Sequence, residues 1–297
     1  MKNSNMFKGY LFVILSAIIY GLMPLMAKFI YLDGVNPVTL VFLRNILAVP
    51  MLMFLSIKTK SVIKTDLKTF GKISFVAIMG CCLTPLLLFI SYNHVTSGTA
   101  TVIHFIYPAI VVMGEWFVLK SKPSAGHIFS VILCVAGIVL FYNPNEGINA
   151  TGGGYALLSG ITYAIYVISL HSLKNKSIHI FTLGFYVTSV CSFVMFLVCV
   201  VINQFALPSS FLGWLLSIIF AFALNVGAVL FFQKGTFLIG GSRAAILSTF
   251  EPITSIIVGI IILDEVLSKF TIIGTISVIA ASVLIAVCDI RKTPHLS

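Results

Sequence analysis

Long apolar runs follow one another along almost the whole chain, and the polar connections between them are short. A run of about 20 apolar residues is long enough to cross a lipid bilayer as a helix. Only 9% of the 297 residues are charged and 59% are hydrophobic, whereas roughly a quarter of the residues in soluble domains are charged. The sequence therefore predicts an all-α integral membrane protein whose main partner is the lipid bilayer.

Windows of high apolarity predict ten transmembrane helices. They cover roughly residues 9–30, 36–57, 70–91, 97–119, 124–142, 153–171, 178–201, 211–233, 242–263 and 269–289. The longest polar connection is KTKSVIKTDLKTFGK, residues 58–72, so no soluble domain is predicted.

Lysine and arginine residues predict how these helices are oriented. If the N-terminus is cytoplasmic, the inside segments hold fifteen of them, and the outside segments hold only Lys28 and Lys269. Cytoplasmic loops carry an excess of basic residues. We therefore expect a multi-pass protein of the cytoplasmic membrane with both termini in the cytoplasm. The net charge of +10 is explained by these loops, and we expect no nucleic-acid partner.

The two halves of the chain resemble each other. LSAIIYG at 15–21 matches LSGITYA at 158–164, and TLVF at 39–42 matches TLGF at 182–185, both at an offset of 143 residues. Chance similarity between apolar segments is the alternative explanation, but the matches occur in order at a nearly constant offset.

This internal similarity predicts two domains, a first five-helix repeat at 1–147 and a second at 148–297. Because five is odd, the second repeat must be inverted in the membrane relative to the first. Inverted repeats are typical of secondary transporters, whose substrate sites lie near the membrane midplane between the repeats. We therefore expect a central cavity between the halves.

Two repeat-related prolines, Pro108 and Pro252, lie near the middle of the fourth and ninth predicted helices. Proline cannot donate to the carbonyl four residues earlier, which frees the carbonyls of His104 and Ser248. Unpaired backbone at this depth is tolerated where protein or a water-filled cavity satisfies it. We expect both helices to kink at these prolines, to line the cavity and to act as gates.

Three ionisable residues are candidates for the site. Glu251 could hold a substrate amine or exchange a coupling proton, because acids inside the membrane are usually functional; the alternative is a structural hydrogen bond to a neighbouring helix. His104 could titrate or stack on a planar substrate, or simply be satisfied by a backbone carbonyl. Arg44 could hold a substrate carboxylate or serve as a helix clamp.

Other polar residues of the predicted spans complete the proposed substrate site. They are Tyr20, Tyr107, Tyr163, Asn225 and Ser248. Each could instead make a hydrogen bond that packs two helices together.

The sequence contains no motif typical of an enzyme or an ATP-driven pump. GGG at 152–154 lacks the Lys-Ser/Thr pair of a nucleotide-binding loop. The six cysteines all lie in apolar runs without a CxxC pair, which is typical of small buried residues. We expect no cofactor and no metal site.

Three segments resemble the EamA family of the drug/metabolite transporter superfamily. They are NPVTLVFLRNILAVPML (36–52), SGTATVIHFIYPAIVVMGEWF (97–117) and GSRAAILSTFEPITSIIVGIIILDE (241–265). The resemblance covers essentially the whole chain. It implies transport of small metabolites such as amino acids, amines or carboxylates, mainly outward, and it implies that Arg44 is a family feature.

Together, these observations predict a secondary transporter that moves a small polar metabolite by alternating access, with export as the expected direction. A passive facilitator and an intramembrane or lipid-modifying enzyme are the alternatives. The sequence carries no signal of the oligomeric state or of the individual substrate.

Overall fold

The computed structural model describes residues 2–59, 65–119, 124–141, 149–171, 178–239, 244, 247–266 and 268–292. All regular structure in these residues is helical. The predicted boundary between the two repeats, at residues 147 and 148, lies outside the described residues.

The helices of the first half are α1 (Lys2–Gly21), α2 (Met23–Leu32), α3 (Pro37–Ile46), α4 (Val49–Lys58), α5 (Leu67–Ala77), α6 (Thr84–Ser91), α7 (Ser97–His104), α8 (Tyr107–Leu119) and α9 (Ala125–Phe141). A π-helical segment, π1 (Ile78–Leu83), joins α5 to α6.

The helices of the second half are α10 (Ala150–His171), α11 (Ile180–Val201), α12 (Phe211–Phe222), α13 (Val229–Ile239), α14 (Phe250–Leu263) and α15 (Lys269–Lys292). A second π-helical segment, π2 (Ala223–Ala228), joins α12 to α13.

Seven helical stretches within the described residues are long and apolar enough to cross a membrane. They are Met6–Leu32, Pro37–Lys58, Leu67–Ser91, Ser97–Gly114, Ile180–Val201, Phe211–Phe232 and Lys269–Cys288. Ala125–Leu140 and Phe250–Leu263 are shorter apolar helices. The prediction of an all-α membrane protein is confirmed, whereas the count of ten spans stays a prediction.

Proline residues follow several of the points where a spanning helix is interrupted. Pro24, Pro50 and Pro85 each lie within the first two positions of a new helix, in α2, α4 and α6. The first turn of a helix tolerates proline because its N–H groups have no partner within the helix. These residues therefore mark the start of a helical segment and cause no loss of hydrogen bonds inside it.

Pairs of helices distant in sequence pack along each other and form the bundle. α1 packs on α13, α10 on α6, α11 on α3 and α9 on α15. Large side chains such as Phe89, Phe105 and Phe220 are fully buried between them. Other large apolar residues on these helices are exposed, which is the surface that a bilayer covers.

Candidate functional site

A cavity of about 130 Å³, here called the central cavity, lies where several interrupted helices meet. Seven of the residues predicted to bind substrate line it: Tyr20, Arg44, His104, Tyr107, Tyr163, Asn225 and Glu251. They come from α1, α3, α7, α8, α10, π2 and α14. The fold thus brings together polar groups that are widely separated in sequence.

The backbone is irregular beside this cavity. α7 ends at His104, Phe105 and Ile106 form a turn, and α8 begins at Tyr107. The Phe105 amide donates to the carbonyls of both Thr101 and Val102, each at 3.1 Å. π1 and π2 contribute Gly80, Cys81 and Asn225 to the wall. Such departures from α-helical geometry are frequent at functional sites.

Pro108 and Pro252 each lie shortly after a break in the helical structure. The break in the fourth predicted span comes before Pro108, which is the second residue of α8, and Pro252 is the third residue of α14. Neither proline lines the central cavity. Each proline occupies the first turn of a new helix, where its missing N–H is tolerated. The expectation that the two prolines act as kinks and gates stays a prediction.

Ser248 is also absent from the wall of the central cavity. Its hydroxyl donates to the Ala244 carbonyl at 3.0 Å, four residues earlier. This local hydrogen bond satisfies the buried side chain within its own segment, so Ser248 has no hydroxyl proton left for a ligand.

Aromatic rings form one wall of the central cavity. The Tyr107 and Tyr163 rings meet edge to face with centroids 4.7 Å apart. The Tyr163 ring also lies 5.4 Å from the His104 ring and 5.3 Å from the Tyr166 ring. Tyr166 was not among the predicted residues, although it lies three positions after Tyr163 and shares its helix face. That spacing is the signal that could have identified it.

His104 connects this wall to α10. Its Nδ1 lies 2.8 Å from the Ser159 hydroxyl oxygen, and the residue is only 5% exposed. The Ser159 hydroxyl in turn donates to the Ala156 carbonyl at 2.7 Å. The partner of His104 Nδ1 is therefore a serine side chain and not the backbone carbonyl considered as an alternative.

Glu251 lies in the first turn of α14 and lines the same cavity. Within the described residues, its carboxylate makes no hydrogen bond and no ion pair. Its backbone packs tightly, since a methyl group added at Gly21 would lie 2.7 Å from the Glu251 carbonyl oxygen. The close approach of α1 and α14 therefore places at the cavity wall an acid that no described residue pairs with.

Arg44 and Asn225 make reciprocal hydrogen bonds between α3 and π2. The Arg44 Nη2 atom donates to the Asn225 Oδ1 atom at 3.0 Å, and Asn225 Nδ2 donates to the Arg44 carbonyl at 2.6 Å. The Arg44 Nε atom is buried without a partner in the described structure. The pair both clamps two helices together and presents a positive charge to the cavity.

The end of the bundle that carries residues 33–36, 92–96, 202–210, 264–266 and 268 is here called the distal end. There the Lys28 ammonium lies 2.6 Å from Glu265 Oε1. The same carboxylate accepts hydrogen bonds from the Ser97 amide at 2.9 Å and the Ser97 hydroxyl at 2.8 Å. Burial alone would raise the pKa of Glu265, but hydrogen bonds from Lys28 and Ser97 outweigh it and lower the pKa.

Contacts between α7 and α14 continue from this ion pair towards the central cavity. The Thr101 and Ser255 hydroxyl oxygens are 3.2 Å apart, and a methyl group added at Gly98 would lie 2.9 Å from Ile256. The distal halves of α7 and α14 are therefore closely packed. A second cavity, of about 360 Å³, lies beside Lys28 and Glu265 at the distal end.

Within the described residues, no group of three or more His, Cys, Asp or Glu side chains could hold a metal ion. The side chains of the central cavity present a carboxylate, a guanidinium, an imidazole and several phenols.

Comparison with known proteins identifies related sequences. A model of the EamA-like transporter family matches the chain twice, at residues 7–143 and 150–287. An uncharacterized transporter of Clostridium kluyveri is 22% identical over 93% of this chain and 92% of its own length. The uncharacterized inner membrane transporter YicL of Salmonella typhimurium is 23% identical over 96% of this chain and 97% of its own.

A human protein, solute carrier family 35 member G1, is 22% identical over 67% of this chain and 57% of its own length. A solved crystal structure has a similar fold, with a TM-score of 0.67 over 95% of this chain and 98% of the other. Its sequence identity is 12%, so this likeness concerns the fold alone.

Proposed function

We propose that this chain, which belongs to the EamA-like transporter family, is a secondary transporter that moves a small polar metabolite across the cytoplasmic membrane through its central cavity. The supporting observation is the convergence of Arg44, His104 and Glu251 on one cavity, together with tyrosines from three helices. Ionisable groups inside a membrane are costly and usually mark a substrate or ion pathway.

Two inverted five-helix repeats, at 1–147 and 148–297, account for several features of the fold. The family model matches each half separately. π1 and π2 begin 145 residues apart, and α1 packs on α13 as α10 packs on α6. These pairings relate equivalent elements of the two halves and support an architecture of ten spans around a pseudo-two-fold axis.

Alternating access follows from this architecture. The contacts of α7 with α14 and of Lys28 with Glu265 close the distal end, which faces outward if both termini are cytoplasmic as the basic residues predict. Opening towards the outside then requires these contacts to separate. In this proposal, rocking of the two halves exposes the central cavity first to one side and then to the other, and outward movement of the substrate is the direction that the family resemblance implies.

The size and chemistry of the central cavity narrow the class of substrate. A volume of about 130 Å³ is below the roughly 300 Å³ or more that is typical of sites for drug-sized ligands. The cavity presents both a carboxylate and a guanidinium, so it suits an amino acid, an amine or a small carboxylate. In the part of the chain that the structure describes, the Glu251 carboxylate has no partner, which leaves it available for a substrate amine or a coupling proton.

Transport by the purified protein in liposomes tests this proposal. A thermal-shift screen of amino acids, amines, nucleosides and organic acids first identifies a ligand, since ligand in excess of its dissociation constant stabilises the fold. Uptake of that solute against its gradient, driven by a proton gradient, is the expected result. Equilibration without accumulation would instead indicate a passive facilitator, and release of a chemically altered product would indicate an enzyme.

Glu251→Gln tests the coupling role. We expect it to abolish proton-driven accumulation, because the amide cannot carry the proton. Asp264→Asn is the matched control, since it removes an acidic side chain that does not line the central cavity. If Glu251→Gln retains uptake with an unchanged pH dependence, Glu251 is not the coupling group.

A further inference from the structure

The hydrogen bonds around His104 define which of its ring nitrogens carries a proton. Ser159 has one hydroxyl hydrogen, and its oxygen lies 2.7 Å from the Ala156 carbonyl and 2.8 Å from His104 Nδ1. A carbonyl can only accept, so the short contact to Ala156 is favourable only if Ser159 donates there. Nδ1 must then be the donor in its contact with the Ser159 oxygen.

A proton on Nδ1 leaves two possible states of the ring. The imidazolium form would place a charge in a side chain that is only 5% exposed, and the ring has no salt-bridge partner in the described structure. Because burying an unpaired charge is costly, the neutral form is favoured. In that form Nε2 has a lone pair and no proton.

Nε2 is the ring atom left for the central cavity. No described residue bonds to it, and it is not among the buried atoms that lack a partner. The rings of Tyr107 and Tyr163 flank the imidazole with centroids 5.7 and 5.4 Å away. Nε2 and the Glu251 carboxylate are therefore two hydrogen-bond acceptors on the same cavity for which the described residues supply no donor.

We propose that Ser159 is a positioning residue that fixes His104 with its proton on Nδ1, so that Nε2 accepts a hydrogen bond from an amine or hydroxyl group of the transported molecule. This inference rests on the proposed function, since it takes the central cavity to be the substrate site. It narrows the substrate to molecules that carry an N–H or O–H donor.

The repeat-related serine has a different role. Ser16 occupies the position equivalent to Ser159 at the offset of 143 residues. Its hydroxyl donates across the helix interface to the Ala228 carbonyl at 2.8 Å. Thus the two serines use the same position to contact another helix, but only Ser159 contacts an imidazole.

Nitrogen NMR of the full-length protein, labelled with ¹⁵N-histidine and held in lipid nanodiscs, tests the assignment directly. His104→Gln identifies the His104 signals by their loss. We expect a protonated Nδ1 and an unprotonated Nε2. His127 provides an internal reference for which we expect the opposite form: its Nδ1 lies 3.4 Å from the Ser124 amide nitrogen, which can only donate, and 2.6 Å from the Ser124 hydroxyl oxygen, which can donate as well.

Substitutions of Ser159 distinguish a role in positioning the His104 ring from a role in helix packing. Ser159→Ala is expected to change the His104 nitrogen shifts towards a mixture of both forms, whereas Ser159→Thr retains a hydroxyl and should restore the wild-type pattern. Ser16→Ala is the matched control and should leave the His104 signals unchanged. A wild-type spectrum with the proton on Nε2, or His104 signals unaffected by Ser159→Ala, would overturn the inference; the wild-type spectrum decides even if Ser159→Ala does not fold.

Two small probes test the class of ligand. Ethanolamine carries an ammonium and a hydroxyl, both donors, whereas acetate only accepts. Ethanolamine in excess is expected to shift the His104 Nε2 signal and acetate is not. No shift with ethanolamine, or a shift with acetate alone, would refute the assignment of a donor ligand.

The spectrum requires no transport, so the two proposals fail separately. If His104 has its proton on Nδ1 but the protein moves no solute, the proposed function is refuted. A proton on Nε2 in an active transporter would refute the role of Ser159 and leave the transport function standing.

Discussion

The carboxylate of Glu265 holds together three helices at the distal end, and its removal tests whether these contacts are energetically important. The residue is 6% exposed and its partner Lys28 is 29% exposed. A fully buried ion pair that loses one partner costs about 3–5 kcal/mol, whereas an exposed pair contributes about 1 kcal/mol or less. Because Lys28 keeps partial access to water, we expect Glu265→Gln to lower the free energy of unfolding by about 2 kcal/mol.

We expect Glu265→Ala to lower the free energy of unfolding by more than Glu265→Gln does. Alanine also removes the acceptor for the Ser97 amide, 2.9 Å away at the start of α7. Loss of a helix cap costs about 1 kcal/mol, so the total should reach about 3 kcal/mol. Equilibrium unfolding in mixed micelles of dodecyl maltoside and SDS, followed by tryptophan fluorescence, measures both values.

Asp264→Asn is the matched control for the change of charge. Asp264 has a left-handed backbone with φ of 52°, a conformation that asparagine also tolerates, and we expect a change within about 0.5 kcal/mol. If Glu265→Gln destabilises the protein no more than Asp264→Asn does, the distal ion pair does not stabilise this state.

Acid should weaken the contribution of the Glu265 carboxylate to the free energy of unfolding. The folded-state pKa of Glu265 lies below its ordinary value of 4.5, so the unfolded chain binds a proton more readily than the folded protein does. The stabilisation is therefore complete above that ordinary value and is lost as the pH falls through the lower folded-state pKa. The difference in unfolding free energy between wild type and Glu265→Gln should shrink in this acidic range, and a difference that grows instead would contradict the assignment.

Substitutions at two residues of the central cavity wall, Gly80 and Asn225, test its packing and hydrogen bonds. We expect Gly80→Ala to lower the free energy of unfolding by about 1–3 kcal/mol and to weaken ligand-induced thermal stabilisation, because the added methyl group would meet the Tyr166 ring. The control is Gly71→Ala, because a methyl group added at Gly71 would have no neighbour within 4 Å. This control should be neutral or should stabilise the protein by up to about 1 kcal/mol. Asn225→Ala should destabilise the protein by about 2–3 kcal/mol, since it removes both hydrogen bonds to Arg44. Asn225→Asp retains the acceptor for Arg44 and should destabilise the protein less. Equal losses of stability in the two variants would argue against this pairing. Unfolding in mixed micelles and thermal-shift assays measure these effects.

Tertiary structure revealed relationships that local sequence patterns did not contain. Ser248 looked equivalent to other polar residues of the predicted spans, but its hydroxyl is satisfied by Ala244. Tyr166 was missed and yet lines the central cavity. Pro108 follows the break between α7 and α8, because the first helical turn tolerates its missing N–H.

The sequence by itself determined that the chain is an all-helical membrane protein, because hydropathy acts along each segment and the bilayer requires every spanning backbone to satisfy its own hydrogen bonds. It also supplied the short set of ionisable groups inside those segments. Only the tertiary structure decided which of them meet: His104 contacts Ser159 and Lys28 contacts Glu265. Such pairs depend on how helices distant in sequence pack, and hydrophobic periodicity carries no information about that choice because lipid and helix interior are similarly apolar.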